Sequence, residues 1–488
     1  MVMPGHDLSP EEFRRVGHQV VDWVANYRET VAQRRVAPDT EPGWVRAQLA
    51  DRLPEHGEPI DALLADLDGV VLPGLAHWQH PSFFGYFPAN ASLASVLGDL
   101  LSGGLGVQGM LWSTGPAATE LEQHLTDLLV PALGLPASYT TAGGGGGMIT
   151  EASSSANLVA LLAALHRASG GGWRSHGVDG TEVVYVSEHT HSSMEKAARI
   201  AGLGSSAVRV VASDPSTLAM RPDALAEAVC ADVAAGRRPV MVCATVGTTS
   251  TGAVDPVRAI GQVCAEHGVW LHVDAAWAGA ATVCPEFRHL VDGVELADTY
   301  CMDAHKWLLT AFDCTLLWTR RPDVLTAALS VAPEYLRNAA SESGLVVDYR
   351  DWQIPLGRRF RALKLWSVLR WYGLDGLRAH VRNHVELATE LASWVAASAD
   401  FELGAPPSLG LVCLRVRGPG DGATRAVLAQ VNATGRALLT HTVIRGRYLI
   451  RVAIGGLCTE RRHVEALWDE LRAAPASAGI GLRQQIGQ

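Results

Sequence analysis

The sequence predicts an α/β protein built on a mostly parallel sheet with helices on both faces, and three observations predict it. From about Thr181 onward, short β-rich runs alternate with helical stretches, the pattern that parallel strands joined by crossover helices produce. The runs TEVVYVS, AVRVVA, PVMVCAT, VWLHVDAA and CTLLWT are nearly continuous in apolar residues, as strands covered on both faces are. Of the 488 residues, 48% are hydrophobic and 18% charged, enough to bury a large core organised as two or three subdomains.

The elements follow in chain order. Ser9-Pro10-Glu11-Glu12 is a helix-start signature, and Phe13, Val16, Val20 and Val24 recur at helical spacing behind it, so residues 9 to 34 form an amphipathic arm that packs on something. Residues 38 to 59, rich in Pro, Gly and Asp, read as an irregular connector with short helices. A helix begins after Ser113-Thr114-Gly115-Pro116, with Leu121, Leu125, Leu128 and Leu129 on one face until Pro131 interrupts it. The run Gly143 to Gly147 is weak evidence for a phosphate site, being equally compatible with a flexible loop, and it does not follow a clear strand in the G-x-G-x-x-G arrangement that a nucleotide-binding reading needs. After the alternating region the chain turns helical from Leu374 to Ala397, gives strands at LGLVCLRV and YLIRVAI, and ends on a helix near Val464 to Ala473. The domain expectation is therefore an N-terminal helical arm over 1–85, a large domain over 86–373 and a small C-terminal α/β domain over 374–488.

Composition excludes some classes. Forty Lys and Arg against fifty Asp and Glu leave a net charge of −10 without a dense basic run, so nucleic acid is a poor partner. No apolar run spans a bilayer and the first twenty residues lack a signal-peptide pattern, so a cytoplasmic protein without membrane association is expected. The eight scattered cysteines include no C-x-x-C pair and read as buried free thiols, with no metal site expected.

The chemistry gathers around Lys306, in Asp303-Ala304-His305-Lys306-Trp307-Leu308-Leu309. An isolated lysine belongs in water. Here the apolar neighbours bury the segment, and burial is expected to depress the pKa of the amine and make it a nucleophile toward a carbonyl, as a Schiff-base lysine requires. Asp274, in His272-Val273-Asp274-Ala275-Ala276-Trp277, caps a turn or, beside such a lysine, holds a proton on the pyridine nitrogen of pyridoxal phosphate. Small Ala276 leaves room for the cofactor face. Ser153 and Ser154 open the helical run LVALLAAL, and a helix N-terminus with serine hydroxyls suits a phosphate. His191, in His189-Thr190-His191-Ser192-Ser193, is either a core histidine or an imidazole stacked on the cofactor ring.

HVDAAWAG, DAHKWLL and THSSMEKA, together with CPEFRHL and DYRDWQIPLGRRFRALKLW, resemble the aromatic-L-amino-acid decarboxylase family, the group II pyridoxal-phosphate decarboxylases. The resemblance runs from EFRRVGHQVVDWVANY to about Ala473. It implies the aspartate-aminotransferase fold (fold type I), with a mixed seven-stranded sheet and a homodimer whose active sites are shared. It makes Lys306 the Schiff-base lysine, Asp274 the partner of the pyridine nitrogen and His191 the ring-stacking base. It puts Thr249 near the cofactor, Asp303 and His305 beside the phosphate, and Tyr335 on a mobile loop as the group that returns a proton to the substrate Cα. A phenylalanine in place of Tyr335 would imply an oxygen-consuming aldehyde synthase instead.

The same resemblance places the substrate wall at Trp78, Tyr86, Phe87 and Pro88 in HWQHPSFFGYFP, a cluster equally compatible with plain core packing, and leaves room for an aromatic ring at Gly357. Ala89 stands where animal members of the family carry threonine, and Met110, Ser153 and Asp303 replace the phenylalanine, alanine and asparagine of the family pattern. The expected reaction is decarboxylation of Trp, Phe, Tyr or dihydroxyphenylalanine to the amine and carbon dioxide. The alternatives are a decarboxylase of an acidic or basic amino acid, an aromatic acetaldehyde synthase, and an inactive dimer of the same fold.

Overall fold

The computed structural model describes residues 7–331, 336, 339–342 and 344–477. Its centre is a seven-stranded sheet of β1 (Gly146–Thr150), β2 (Glu182–Ser187), β3 (Val208–Val211), β4 (Arg238–Thr245), β5 (Trp270–Asp274), β6 (Thr299–Asp303) and β7 (Thr315–Thr319). The strand order is β1-β7-β6-β5-β4-β2-β3. All pairs from β3 to β6 are parallel, and β7 runs antiparallel to both β6 and β1. The sheet is thus mixed and fold type I in order and layering, as expected. Every residue of β1, β2, β5, β6 and β7 is buried, because helices cover both faces, among them Ser153–Ala168 on one side and Val257–His267 on the other.

A second, four-stranded antiparallel sheet follows, with β8 (Phe401–Leu403), β9 (Leu411–Val416), β10 (Thr440–Ile444) and β11 (Arg447–Ala453) in the order β10-β11-β9-β8. It is reached through the long helix Ala362–Ala397, which breaks at Gly373, where φ is +60°. That left-handed conformation suits glycine, and it falls beside the expected domain boundary.

Several elements differ from the sequence expectation. The glycine run is not a loose loop: Gly146 and Gly147 are in β1, and a Cβ on Gly145 would lie 2.1 Å from the Ser138 carbonyl oxygen. Strand β6 carries polar residues at both ends and escaped the apolar-run criterion, as did the short β8 and the half-exposed β10. Pro131 does not end its helix, which spans Pro116–Ala132 with the proline in the last turn. Six cysteines are buried, but Cys230 and Cys458 are exposed.

The N-terminal helix Pro10–Thr30 opens with a capping box between Ser9 and Glu12, yet Phe13, Val20 and Val21 remain exposed on it. On the helix Leu93–Leu105, Leu97, Leu100 and Leu101 are exposed as well. Among the described residues, no helix is long and apolar enough to cross a membrane.

Candidate active site

Strand β1 is antiparallel to β7, which is antiparallel to β6, so the carboxyl ends of β1, β2, β4, β5 and β6 open on one edge. The register fixes this: Thr150 and Asp303 both face Thr315, Asp274 faces Cys301, and Thr245 faces Asp274. The segments leaving these five strands carry Ser153, His191, Thr249, Ala276 and Lys306. Ligands of open α/β sheets bind at this edge.

Lys306 stands on the single helical turn Ala304–Trp307 directly after β6. Its Nζ lies 2.8 Å from Asp303 Oδ2. Asp303 Oδ1 accepts hydrogen bonds from Ser153 Oγ at 2.7 Å and Thr315 Oγ1 at 2.5 Å, and His305 Nε2 is 3.6 Å from Oδ2. Burial pushes the Asp303 carboxyl up, but the charges of Lys306 and His305 and these hydrogen bonds hold it below the usual range.

For Lys306 the same geometry reverses the sequence expectation. Burial lowers the amine, but the charge and hydrogen bond of Asp303, with the charge of Asp274 behind them, outweigh it and raise the pKa. The backbone of the segment is clamped. Asn90 Nδ2 donates to the carbonyls of Lys306 at 2.6 Å and Gly455 at 2.8 Å, and the Trp307 indole N–H donates to His384 Nδ1 at 2.9 Å. His305 is buried, accepts the Cys314 N–H on Nδ1 at 3.1 Å, and is pushed below the ordinary imidazole range by burial.

Asp274 closes β5 and is 3% exposed. Its Oδ1 accepts the Ala276 N–H at 3.1 Å, and its Oδ2 accepts the Asn157 side-chain amide at 3.0 Å. His191 Nδ1 lies 2.9 Å from Ser193 Oγ and also accepts the Ser193 N–H at 3.2 Å. Burial lowers the pKa of His191, against the opposing charge of Asp274, which favours the neutral imidazole.

The helix Ser153–Ala168 has no side-chain cap at Ala152. The N–H groups of Ser155 and Ala156 return to the Ala152 carbonyl, whereas those of Ser153 and Ser154 have no acceptor among the described residues. Because the Ser153 hydroxyl is committed to Asp303, the donors left for an anion are these N–H groups and the exposed Ser154 hydroxyl. Uncapped helix N–H groups, a buried carboxylate, a primary amine and a neutral imidazole at one sheet edge fit the phosphate, pyridine nitrogen, aldehyde carbon and ring face of pyridoxal phosphate.

The family model of the pyridoxal-dependent decarboxylase conserved domain matches residues 42–417. The chain belongs to the pyridoxal-dependent decarboxylases. It is 46% identical over 470 residues to a phenylacetaldehyde synthase of Arabidopsis thaliana, covering 94% of this chain and 95% of that one. It is 43% identical to tryptophan decarboxylase 2 of Oryza sativa subsp. japonica, with 95% of each chain covered. A crystal structure of Oryza sativa TDC with PLP and tryptamine superposes with a TM-score of 0.93 at 39% identity, over 98% of this chain and 99% of that one.

In this decarboxylase the remaining sequence-selected residues are spread over several places. Phe87 stacks on Trp277 with ring centroids 3.8 Å apart, Pro88 is buried beside it, and Arg451 donates to the Gly85 carbonyl at 2.9 Å. Trp78 and Tyr86 stack on each other 5.7 Å apart and are exposed, and the Ala89 carbonyl accepts from Gln79. Met110 and Gly357 belong to a separate patch, where the Arg350 N–H donates to the Met110 carbonyl and the neighbouring Gly109 N–H to the Arg358 carbonyl. Gly357 is exposed, and a Cβ there would meet only Gln108 at 3.6 Å. Thr249 is exposed, with its carbonyl accepting from Arg451 Nε at 2.8 Å. Tyr335 lies outside the described residues.

Sequence reasoning missed Asn90, Asn157 and Ser193. Asn157 carried a usable signal, since it is an amide among the apolar residues of a helix whose inner face is otherwise aliphatic.

Proposed function

We propose that this decarboxylase acts on an aromatic L-amino acid, releasing carbon dioxide and the arylalkylamine. The observation that carries the reading is the convergence of Lys306, Asp274 and His191 on one sheet edge. Lys306 anchors the cofactor through its amine. Bound there, pyridoxal phosphate supplies an electron sink for the bond that breaks at the substrate Cα. Asp274, oriented by two N–H donors, holds a proton at the pyridine nitrogen. Ser153 and Ser154 would hold the phosphate through the helix N-terminus, Ala276 would leave space for the ring, and His191 would cover the ring with its imidazole. Tyr335 would deliver the proton to the substrate Cα, and the Lys306 amine would hold the cofactor between turnovers.

Phe87 and Trp277 stack face to face and are buried, 8% and 2% exposed, so this cluster is core packing, and the preference for an aromatic substrate over an acidic or basic one rests elsewhere. The names of relatives that act on tryptophan and tyrosine support the same class. A second reading, an aromatic acetaldehyde synthase, is favoured by the phenylacetaldehyde synthase relative; the tyrosine at position 335 favours amine release. An inactive fold is disfavoured by the intact lysine, aspartate and histidine.

The exposed apolar side chains of the helices Pro10–Thr30 and Leu93–Leu105 support a homodimer, with Met110 and Gly357 completing the partner's pocket. We further propose the division 1–85, 86–373 and 374–488, supported by the break at Gly373, and a cytoplasmic location.

The test is amine, carbon dioxide, aldehyde and hydrogen peroxide release from a panel of aromatic, acidic and basic L-amino acids by wild type and Lys306→Ala. Equal amine and carbon dioxide from aromatic substrates by wild type alone supports the proposal. Aldehyde with peroxide moves the assignment to the second reading, and release from acidic or basic substrates overturns the aromatic one.

A further inference from the structure

A chain of six side chains runs from the sheet core into the site. The Trp270 indole N–H, a group that only donates, points at Thr299 Oγ1 at 3.0 Å. Thr299 Oγ1 lies 2.9 Å from His272 Nδ1. His272 Nε2 lies 2.8 Å from Asn157 Oδ1. Asn157 Nδ2 reaches Asp274 Oδ2 at 3.0 Å and Ser193 Oγ at 2.9 Å, and Ser193 Oγ is 2.9 Å from His191 Nδ1. Every linking residue except His191 is buried: Trp270 is 1% exposed, Ser193 4%, and Thr299, His272 and Asn157 0%.

The proton arrangement is forced from both ends. Asn157 Oδ1 can only accept, so a neutral His272 carries its proton on Nε2, and its Nδ1 accepts the hydrogen of Thr299 Oγ, which in turn accepts from the indole. At the other end, a carboxylate can only accept, so the Asn157 group facing Asp274 must be the NH2; turning the amide over would set its oxygen against a buried anion. Its two hydrogens then serve Asp274 and Ser193. Ser193 Oγ, having accepted one, gives its own hydrogen to His191 Nδ1, where the Ser193 N–H also converges at 3.2 Å. The His191 proton is left on Nε2.

We infer that Asn157 is a positioning residue that couples the two groups flanking the cofactor, holding Asp274 in its ionised orientation and, through Ser193, fixing His191 in the Nε2–H tautomer. The inference rests on the proposed roles of Asp274 and His191 and deepens them. One amide thereby orients both the carboxylate on the pyridine side and the hydroxyl that points its hydrogen at His191 Nδ1. The charged and titratable groups facing His191 are Asp274, Lys306 and Asp303, and those facing Asp274 include His272 and Cys301. His272 stays neutral because burial lowers it to about 4, so the relay keeps its direction at neutral pH.

The test uses the cofactor-loaded protein without substrate. Asn157→Leu, nearly isosteric, removes both arms, and Ser193→Ala removes only the hydroxyl arm to His191. Two quantities are read: the dissociation constant for pyridoxal phosphate, and the titration and tautomer of His191 by 15N NMR. Asn157→Leu is expected to weaken cofactor binding roughly tenfold, the loss expected for one hydrogen bond to a charged acceptor. It is also expected to change the His191 titration, because Ser193 Oγ loses the donor that turns its own hydrogen toward Nδ1. Ser193→Ala is expected to change the His191 signal while leaving cofactor affinity within about twofold.

Unchanged affinity or an unchanged His191 titration in Asn157→Leu overturns the inference, as does a Ser193→Ala protein that loses cofactor as severely. Should Asn157→Leu fail to fold, Asn157→Thr is substituted, which keeps one hydroxyl donor and is expected to retain affinity for the cofactor while releasing His191; loss of neither or of both overturns the inference. None of these readouts requires turnover, so a wild type that released no amine would defeat the proposed reaction and leave this result standing.

Discussion

Asp303 and Lys306 form an ion pair at the end of β6, with Oδ2 and Nζ 2.8 Å apart, the carboxylate 2% exposed and held on its other side by Ser153 and Thr315. The pair makes the amine a cation until something displaces the carboxylate, so capture of a carbonyl by Lys306 waits on loss of a proton that Asp303 opposes.

Replacing that carboxylate should speed cofactor capture. Asp303→Asn keeps the hydrogen-bonding shape and removes the charge that raises the Lys306 pKa, so more neutral amine is present near pH 7.5. Imine absorbance after adding pyridoxal phosphate to cofactor-free protein should appear faster than in wild type. A slower rate would show that Asp303 serves the phosphate side.

Removing the amine itself has a different signature. Lys306→Ala should reduce amine release by roughly a thousandfold or more while the protein still binds pyridoxal phosphate noncovalently. Borohydride followed by peptide mass analysis should label wild type at Lys306 and leave the variant unlabelled.

The patch carrying Met110 and Gly357 is held by a buried ion pair. Arg358 donates two hydrogen bonds to Glu122, at 2.7 and 3.1 Å, and a third to the Ile149 carbonyl, with both side chains under 5% exposed. Arg358→Met leaves Glu122 as an unpaired buried charge and should cost about 3–5 kcal/mol. Adding Glu122→Gln, which keeps an acceptor for the Ile149 N–H, should recover part of the loss in thermal or urea denaturation.

Acid should weaken the fold through imidazoles that are buried neutral. His384 accepts from Trp307 and lies 3.1 Å from the Gly456 carbonyl, and burial lowers its pKa to about 4. Its folded value lies below the unfolded value of 6.5, so its contribution is complete above pH 6.5 and is lost as pH falls toward 4. The site should cost about 2 kcal/mol at pH 5 relative to pH 7. His384→Gln should flatten the dependence of the melting temperature on pH over that window; an unchanged slope would assign acid sensitivity to other groups, such as His80 and His272.

How much of this was legible from sequence varied with how locally each feature is determined. Strands β2, β4 and β5 announce themselves because both faces are buried and their residues are nearly all apolar. β6 does not, because Thr299 and Asp303 are buried only by virtue of partners on other strands and helices. Asp274 and His191 could be picked out because they stand at or just after the readable strands β5 and β2, and Lys306 because Trp307, Leu308 and Leu309 beside it are apolar. The direction of the Lys306 shift could not, since burial and a carboxylate at 2.8 Å act in opposite senses and only the distance decides between them. Asn157 was hidden for the related reason that its partners, Asp274, Ser193 and His272, lie 36 to 117 residues away in the chain.

The glycine run also bears on which substitutions the gene can accept. A Cβ would come within 1.9 Å of the Ala137 carbonyl oxygen from Gly143, 2.1 Å of the Ser138 carbonyl oxygen from Gly145, and 2.7 Å of Thr126 and Trp318 from Gly147. A stretch with the composition of a tether is thus a rigid filler cut to the width of a bare backbone. Saturation mutagenesis would find it among the least permissive segments of the protein, and grafting it elsewhere as a spacer would transfer none of that rigidity, which resides in the walls around it.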